Sequence, residues 1–273
     1  MEVLGEEGHK CKLPDLPKEI SYSPNLLKHD NNLLICGGQR NEKSCLRLDD
    51  DKWVHFNDMH YERKCAATVS GKGVNYILGG RISKTSSEKL NHGSNKWTKG
   101  PQIPKGVTES CSVRVTNQDV LFIGGADTPF RIMKFNYRHN NLTEFSIRLR
   151  QGRKNLACGF FNSKVIISGG RHNGNSLQST EILDMKTMEL RPGGNLIMSR
   201  YRPGMGIITW QGKPTLIAFG GRVSHGAFLD SVETWDDVTE TWTMLPQLKL
   251  KEPKMAFGYV TLPTDFICAN KED

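Results

Sequence analysis

What most constrains this chain is a phrase that it repeats. Lys164-Val165-Ile166-Ile167-Ser168-Gly169-Gly170-Arg171 has four near-copies: Leu33-Leu34-Ile35-Cys36-Gly37-Gly38, Asn75-Tyr76-Ile77-Leu78-Gly79-Gly80, Val120-Leu121-Phe122-Ile123-Gly124-Gly125 and Leu216-Ile217-Ala218-Phe219-Gly220-Gly221. Each is a short apolar run, rich in β-branched and aromatic residues, that ends in two glycines. Such a run reads as a buried strand leading into a turn that only glycine enters cheaply.

The first glycines stand at 37, 79, 124, 169 and 220, in steps of 42, 45, 45 and 51 residues. That spacing falls among propeller blades rather than helical repeats. A third strand follows a polar loop after each pair, clearest at Glu181-Ile182-Leu183-Asp184 and Val232-Glu233-Thr234-Trp235-Asp236, weaker at Met133–Asn136 and Leu46–Asp49. A fourth carries an apolar anchor, Trp53, Trp97, Leu142, Leu190 or Trp242. Trp97 lies nine residues past Glu88, and Trp242 nine past Glu233; Leu190 and Leu142 keep the same offset from Glu181 and Met133. Ahead of each glycine strand comes a run opened by basic or small residues, such as Arg63–Val69, Glu109–Val115, Lys154–Phe160 and Arg202–Ile208. Small residues suit an innermost strand crowded near an axis, and four strands per repeat make a blade.

These residues resemble the kelch repeats. The glycine pair after an apolar strand, the later Glu, the Trp nine residues on and the Arg opening a blade all match that family's pattern, standing in the fifth copy as Arg202, Gly220-Gly221, Glu233 and Trp242. The expected fold is all-β: a six-bladed kelch β-propeller, four antiparallel strands per blade, forming one domain over 1–273. Blades are expected at 22–58, 63–99, 108–147, 153–192 and 200–245. The sixth is expected from 253–270 together with 1–15, because Lys254–Leu262 and Asp265–Asn270 resemble first and second strands, and Glu2–Gly5 a third. Closure by strands from both termini leaves no free edge at the seam.

Recurrence argues that most of the motif is structural. Glycines set turns, tryptophans pack between blades, and Glu88, Glu181 and Glu233 are expected to satisfy backbone donors or a basic residue of another strand. Seven cysteines without a C-x-x-C pair suit reduced, packed thiols better than a disulfide framework or a zinc site. The acidic N-terminus lacks a secretory profile, and no window approaches the roughly 18 apolar residues of a membrane span. A cytoplasmic or nuclear protein without membrane contact is expected.

Catalytic constellations are missing from the sequence. The eight histidines show no H-E-x-x-H or other close metal-ligand spacing, and there is no G-x-S-x-G, P-loop or G-x-G-x-x-G. No enzyme activity, metal or cofactor is expected. The net charge of +8 is spread along the chain, so nucleic-acid binding is not expected either.

What the kelch resemblance implies is recognition of a protein or peptide by loops at one mouth. Contacts are expected just after the glycine pairs, at Gln39, Arg81, Ala126, Arg171 and Arg222. A second set opens the first strands, at Ser23, Lys64, Ser110, Lys154 and Arg202, with Lys254 for the sixth blade. The density of cations points to an acidic or phosphorylated segment, which guanidinium groups clamp in bidentate fashion. The resemblance also connects such domains with cullin ubiquitin ligase receptors as substrate adaptors; the rival readings are an actin-associated scaffold and, after it, a sugar-binding or sugar-converting propeller enzyme. Because the chain is expected to begin inside the sixth blade, no preceding BTB domain is expected.

Overall fold

The structure, a computed structural model, describes residues 4, 13–17 and 22–261, apart from 41, 72 and 104. Among them every regular element is a strand. The first sheet comprises β1 (Asn25–His29), β2 (Asn32–Cys36), β3 (Cys45–Asp49) and β4 (Lys52–Phe56), and the second β5 (Ala67–Gly71), β6 (Val74–Leu78), β7 (Ser87–Asn91) and β8 (Thr98–Lys99). The third holds β9 (Cys111–Arg114), β10 (Asp119–Ile123), β11 (Arg131–Asn136) and β12 (Asn141–Arg148). In the fourth, β13 (Ala157–Phe161) and β14 (Lys164–Ser168) are followed by a small hairpin, β15 (Arg171–His172) with β16 (Asn175–Ser176). The sheet then completes with β17 (Thr180–Asp184) and β18 (Leu190–Gly193). The fifth is β19 (Gly204–Trp210), β20 (Lys213–Phe219), β21 (Ser231–Asp236) and β22 (Thr241–Lys249).

All five sheets are antiparallel meanders, and the repeated apolar runs are their second strands. Ile77 pairs with Glu88, Ile167 with Glu181, Ala218 with Glu233, Phe122 with Met133 and Ile35 with Leu46. The repeat is therefore one of three-dimensional register as well as of sequence.

Chain contacts group into two compact units, 1–108 with 257–273, and 109–256. In the first, Leu27, Leu34 and Phe56 of the first sheet pack with Ile77 and Leu90 of the second and with Trp97 just before β8. In the other, Val113, Leu121 and Ile123 meet Cys158, Val165 and Ile167, while Ile166 and Ile182 meet Met205, Leu216, Trp235 and Trp242. Trp242 Nε1 donates to Thr180 Oγ1 at 3.1 Å, so this tryptophan ties two sheets as its position suggests.

The glycine pair marks a close approach. Gly170 N–H donates to the Arg200 carbonyl at 2.8 Å, and Gly38 to that of Arg63 at 2.9 Å. Gly169 has φ +65°, and a Cβ there would sit 2.6 Å from the Arg200 oxygen, closer than any side chain tolerates.

Three expectations need correction. First strands begin later than their basic residues suggest, because Cys65, Glu109, Asn155 and Arg202 lie at φ +52° to +57° and break the extended backbone. Among the described residues five blades are shown rather than six. Residues 251–261 form no strand, although Gly221 N–H reaches the Lys254 carbonyl at 2.9 Å and Ala256 has φ +55°, the geometry that opens the other sheets. The other pieces assigned to the sixth blade, 262–270 and most of 1–15, lie outside the described residues. Finally, among the described residues four cysteines are paired, Cys36 with Cys45 and Cys111 with Cys158. Cys36 and Cys45 are direct cross-strand neighbours, and β9 lies against β13, juxtapositions that spacing along the chain does not reveal.

Candidate functional site

The recurring glutamates are consumed by the fold. Glu88 accepts the N–H groups of His60 (2.6 Å) and Tyr61 (3.0 Å) and bonds the Arg63 guanidinium. Glu181 does the same for Arg150, Gln151 and Arg153, and Glu233 for Ile197, Met198 and Arg200. Each arginine sends Nη1 to two carbonyls, those of Gly79 and Ser86, Gly169 and Ser179, or Gly220 and Ser231. Arg63, Arg153 and Arg200 are fully buried, and burial pulls each guanidinium below its usual range against the hold of its glutamate.

The basic partner in the fifth sheet is thus Arg200, not the Arg202 that the repeat pattern suggests. In the third sheet both charges are replaced together. Met133 takes the glutamate's position and Val107 the arginine's, its carbonyl accepting Gly80 N–H at 2.8 Å. An apolar pair removes two burial penalties at once.

Within 109–256, Lys154, Arg171, Arg202 and Arg222 gather where loops leave the glycine pairs and first strands begin. Arg171 and Lys154 exchange backbone hydrogen bonds at 2.8 and 3.2 Å, and Arg222 does so with Tyr201 at 3.0 Å each way. The guanidiniums of Arg171 and Arg202 both stand 5.4 Å from the Tyr201 ring centroid, and Arg222 lies 5.2 Å from that of Phe228. Arg171 Nε donates to the Gly174 carbonyl (2.9 Å) and Arg222 Nε to that of Gly226 (3.1 Å).

Two cations of the set already share a carboxylate. Glu109, nearly sealed from solvent, lies 3.2 Å from Arg202 Nη2 and 3.4 Å from Lys154 Nζ. Arg202 is itself buried, so it serves the packing beneath the loops. Ser110 Oγ donates to the Gly124 carbonyl at 2.9 Å. Ala126 is exposed, and Lys254 is half-buried.

In the other unit, Gln39 N–H reaches the Tyr22 carbonyl beside Ser23 at 3.1 Å, and Arg81 N–H reaches that of Lys64 at 2.9 Å. The side chains of Gln39 and Arg81 are exposed, whereas Lys64 is paired with Glu42 at 3.1 Å. Arg81 with Lys64 and Arg171 with Lys154 are therefore direct backbone neighbours, whereas Gln39 and Arg222 bond the residue before Ser23 and Arg202.

Sequence reasoning missed the aromatic members. Phe228 and Phe130 are 47% and 44% exposed, and the Phe130 ring meets His172 edge-on at 6.4 Å between centroids. A large ring in the polar loop that follows a glycine pair is the signal that could have found them.

The Kelch motif family model matches residues 213–249, the span of β20 to β22. Kelch repeat protein C2 of Vaccinia virus (strain Western Reserve) is 31% identical over 117 residues, 40% of this chain and 22% of that protein; its Cowpox virus counterpart matches to the same extent. Kelch-like protein 35 of Mus musculus is 29% identical over 91 residues, 33% of this chain and 15% of that protein. The matches thus span under a quarter of these relatives' lengths. The solved structure of YjhT superposes with a TM-score of 0.67 over 82% of this chain and 83% of its own, at 14% identity, which shows a shared β-propeller fold. One of the five sheets built on a single register thus carries a Kelch motif, and the chain is similar to kelch-repeat proteins over part of its length.

Proposed function

We propose that this chain is a protein-interaction module that takes an acidic or phosphorylated peptide segment on the loops carrying Arg171 and Arg222. The observation that carries the reading is how those arginines are held. Each is anchored through Nε to a loop carbonyl and laid against an aromatic ring, and among the described residues neither forms an ion pair with a carboxylate. A guanidinium fixed in this way loses little freedom when it meets a ligand carboxylate or phosphate, which favours bidentate capture.

Binding rather than catalysis is favoured because the recurring carboxylates are occupied by buried arginines and backbone N–H groups. By family resemblance, the module would serve as the recognition half of a substrate adaptor related to cullin ligase receptors. An array of acidic and phosphorylated peptides supplies the probe. We expect salt-sensitive binding that weakens at least about tenfold in the Arg171→Ala/Arg222→Ala variant, since hydrogen bonds to charged groups contribute about 1.5–3 kcal/mol each. Affinity unchanged by both salt and the double substitution would overturn the proposal.

A further inference from the structure

We infer that His29, Asp30 and His92 form a binding site for a divalent transition metal of the zinc type. Nothing in their spacing suggests it: His29 ends β1, Asp30 lies in the β1–β2 turn, and His92 follows β7. The fold sets the two turns side by side within one unit, and one ligand atom from each residue lies within 4.8 Å of the other two.

The distances suit a small metal. Bonds of about 2.0–2.1 Å in tetrahedral geometry place ligand atoms about 3.3–3.4 Å apart. His29 Nε2 lies 3.5 Å from Asp30 Oδ2, and His92 Nδ1 lies 3.8 Å from Asp30 Oδ1. Closing around the ion then requires only small turns of the exposed Asp30 and His92. Asp30 is steadied by Gly93 N–H, 3.2 Å from both carboxylate oxygens, which fixes it against the turn that carries His92. Two imidazoles and one carboxylate form a donor set that favours zinc and its neighbours over calcium or magnesium.

A second observation comes from the far side of His29. Asn75 is fully buried, and its Oδ1 has no hydrogen-bond partner. Its Nδ2 donates to the Lys28 carbonyl at 2.9 Å and lies 3.4 Å from His29 Nδ1. On the other nitrogen, Nε2–H donates to the Ser94 carbonyl at 3.0 Å. Metal at Nε2 moves the imidazole proton to Nδ1. A swing of the Asn75 amide at the expense of the Lys28 contact then gives its stranded oxygen that proton to accept. An oxygen acceptor behind the ring is the arrangement that orients metal-bound histidines. The Ser94 carbonyl, released by Nε2, stands beside the ion as a further oxygen.

Chelator-stripped protein titrated with zinc chloride by calorimetry tests the site, and cobalt(II) substitution reports coordination through visible absorption. We expect one strong site, weakened roughly tenfold or more by His92→Ala and by Asp30→Asn. Both residues are exposed, so circular dichroism should show the variants folded. The cobalt spectrum should vanish in His92→Ala and persist in His139→Ala, an exposed histidine elsewhere. Zinc affinity equal in all three variants, or cobalt without protein-dependent absorption, would overturn the inference.

Discussion

Arg200 Nε lies 2.9 Å from Glu233 Oε1, and neither side chain touches solvent. Around this contact Glu233 also receives the N–H groups of Ile197 and Met198, while Arg200 reaches the carbonyls of Gly220 and Ser231. One pair thereby fastens the connection from the fourth sheet, the glycine turn and the third strand of the fifth. Removing one charge from such a contact leaves the other buried and uncompensated.

Glu233→Met should therefore lower the unfolding free energy by about 3–5 kcal/mol in denaturant titration. Met133 and Val107 show which residues the fold accepts at these positions, so Arg200→Val/Glu233→Met should cost less than the sum of the two single changes. Strict additivity would mean that the pair is not coupled.

The Cys111–Cys158 bridge closes 47 residues of chain and joins the first strands of successive sheets. Chain entropy assigns a loop of that size about 4 kcal/mol, and measured bridges commonly give about 2–4 kcal/mol. Under oxidising conditions Cys111→Ala/Cys158→Ala should be less stable than the natural chain by that amount. In reductant the gap should shrink to the small cost of lost sulfur packing. A gap of equal size in both conditions would assign the effect to packing rather than to the crosslink.

Glu240 responds to acid. The hydrogen bond from Arg191, joined by that from Lys164, outweighs burial and holds its carboxyl down at about 2, against 4.5 for an unperturbed glutamate. Because the folded value is the lower one, the unfolded chain takes up the proton first, and this contribution is complete above 4.5 and fades as pH falls toward 2. The stability difference between the natural chain and Glu240→Gln should be level above that range and narrow through it. A difference independent of pH would remove the ion pair as its cause.

The sequence by itself determined the repeat: strands whose apolar runs and glycine pairs recur in phase, and carboxylates assigned to backbone and arginine. These are local or periodic signals, since alternation and φ > 0 are properties of a few neighbouring residues. Periodicity could not decide between Arg200 and Arg202, because both are basic residues before the same strand. Only the left-handed backbone at Arg202 turns one toward Glu233 and the other toward Glu109. Nor could it pair Cys111 with Cys158, lay Arg171 against Tyr201, or bring His92 to Asp30. Those contacts join different repeats, and their distances are set by how sheets pack rather than by spacing along the chain.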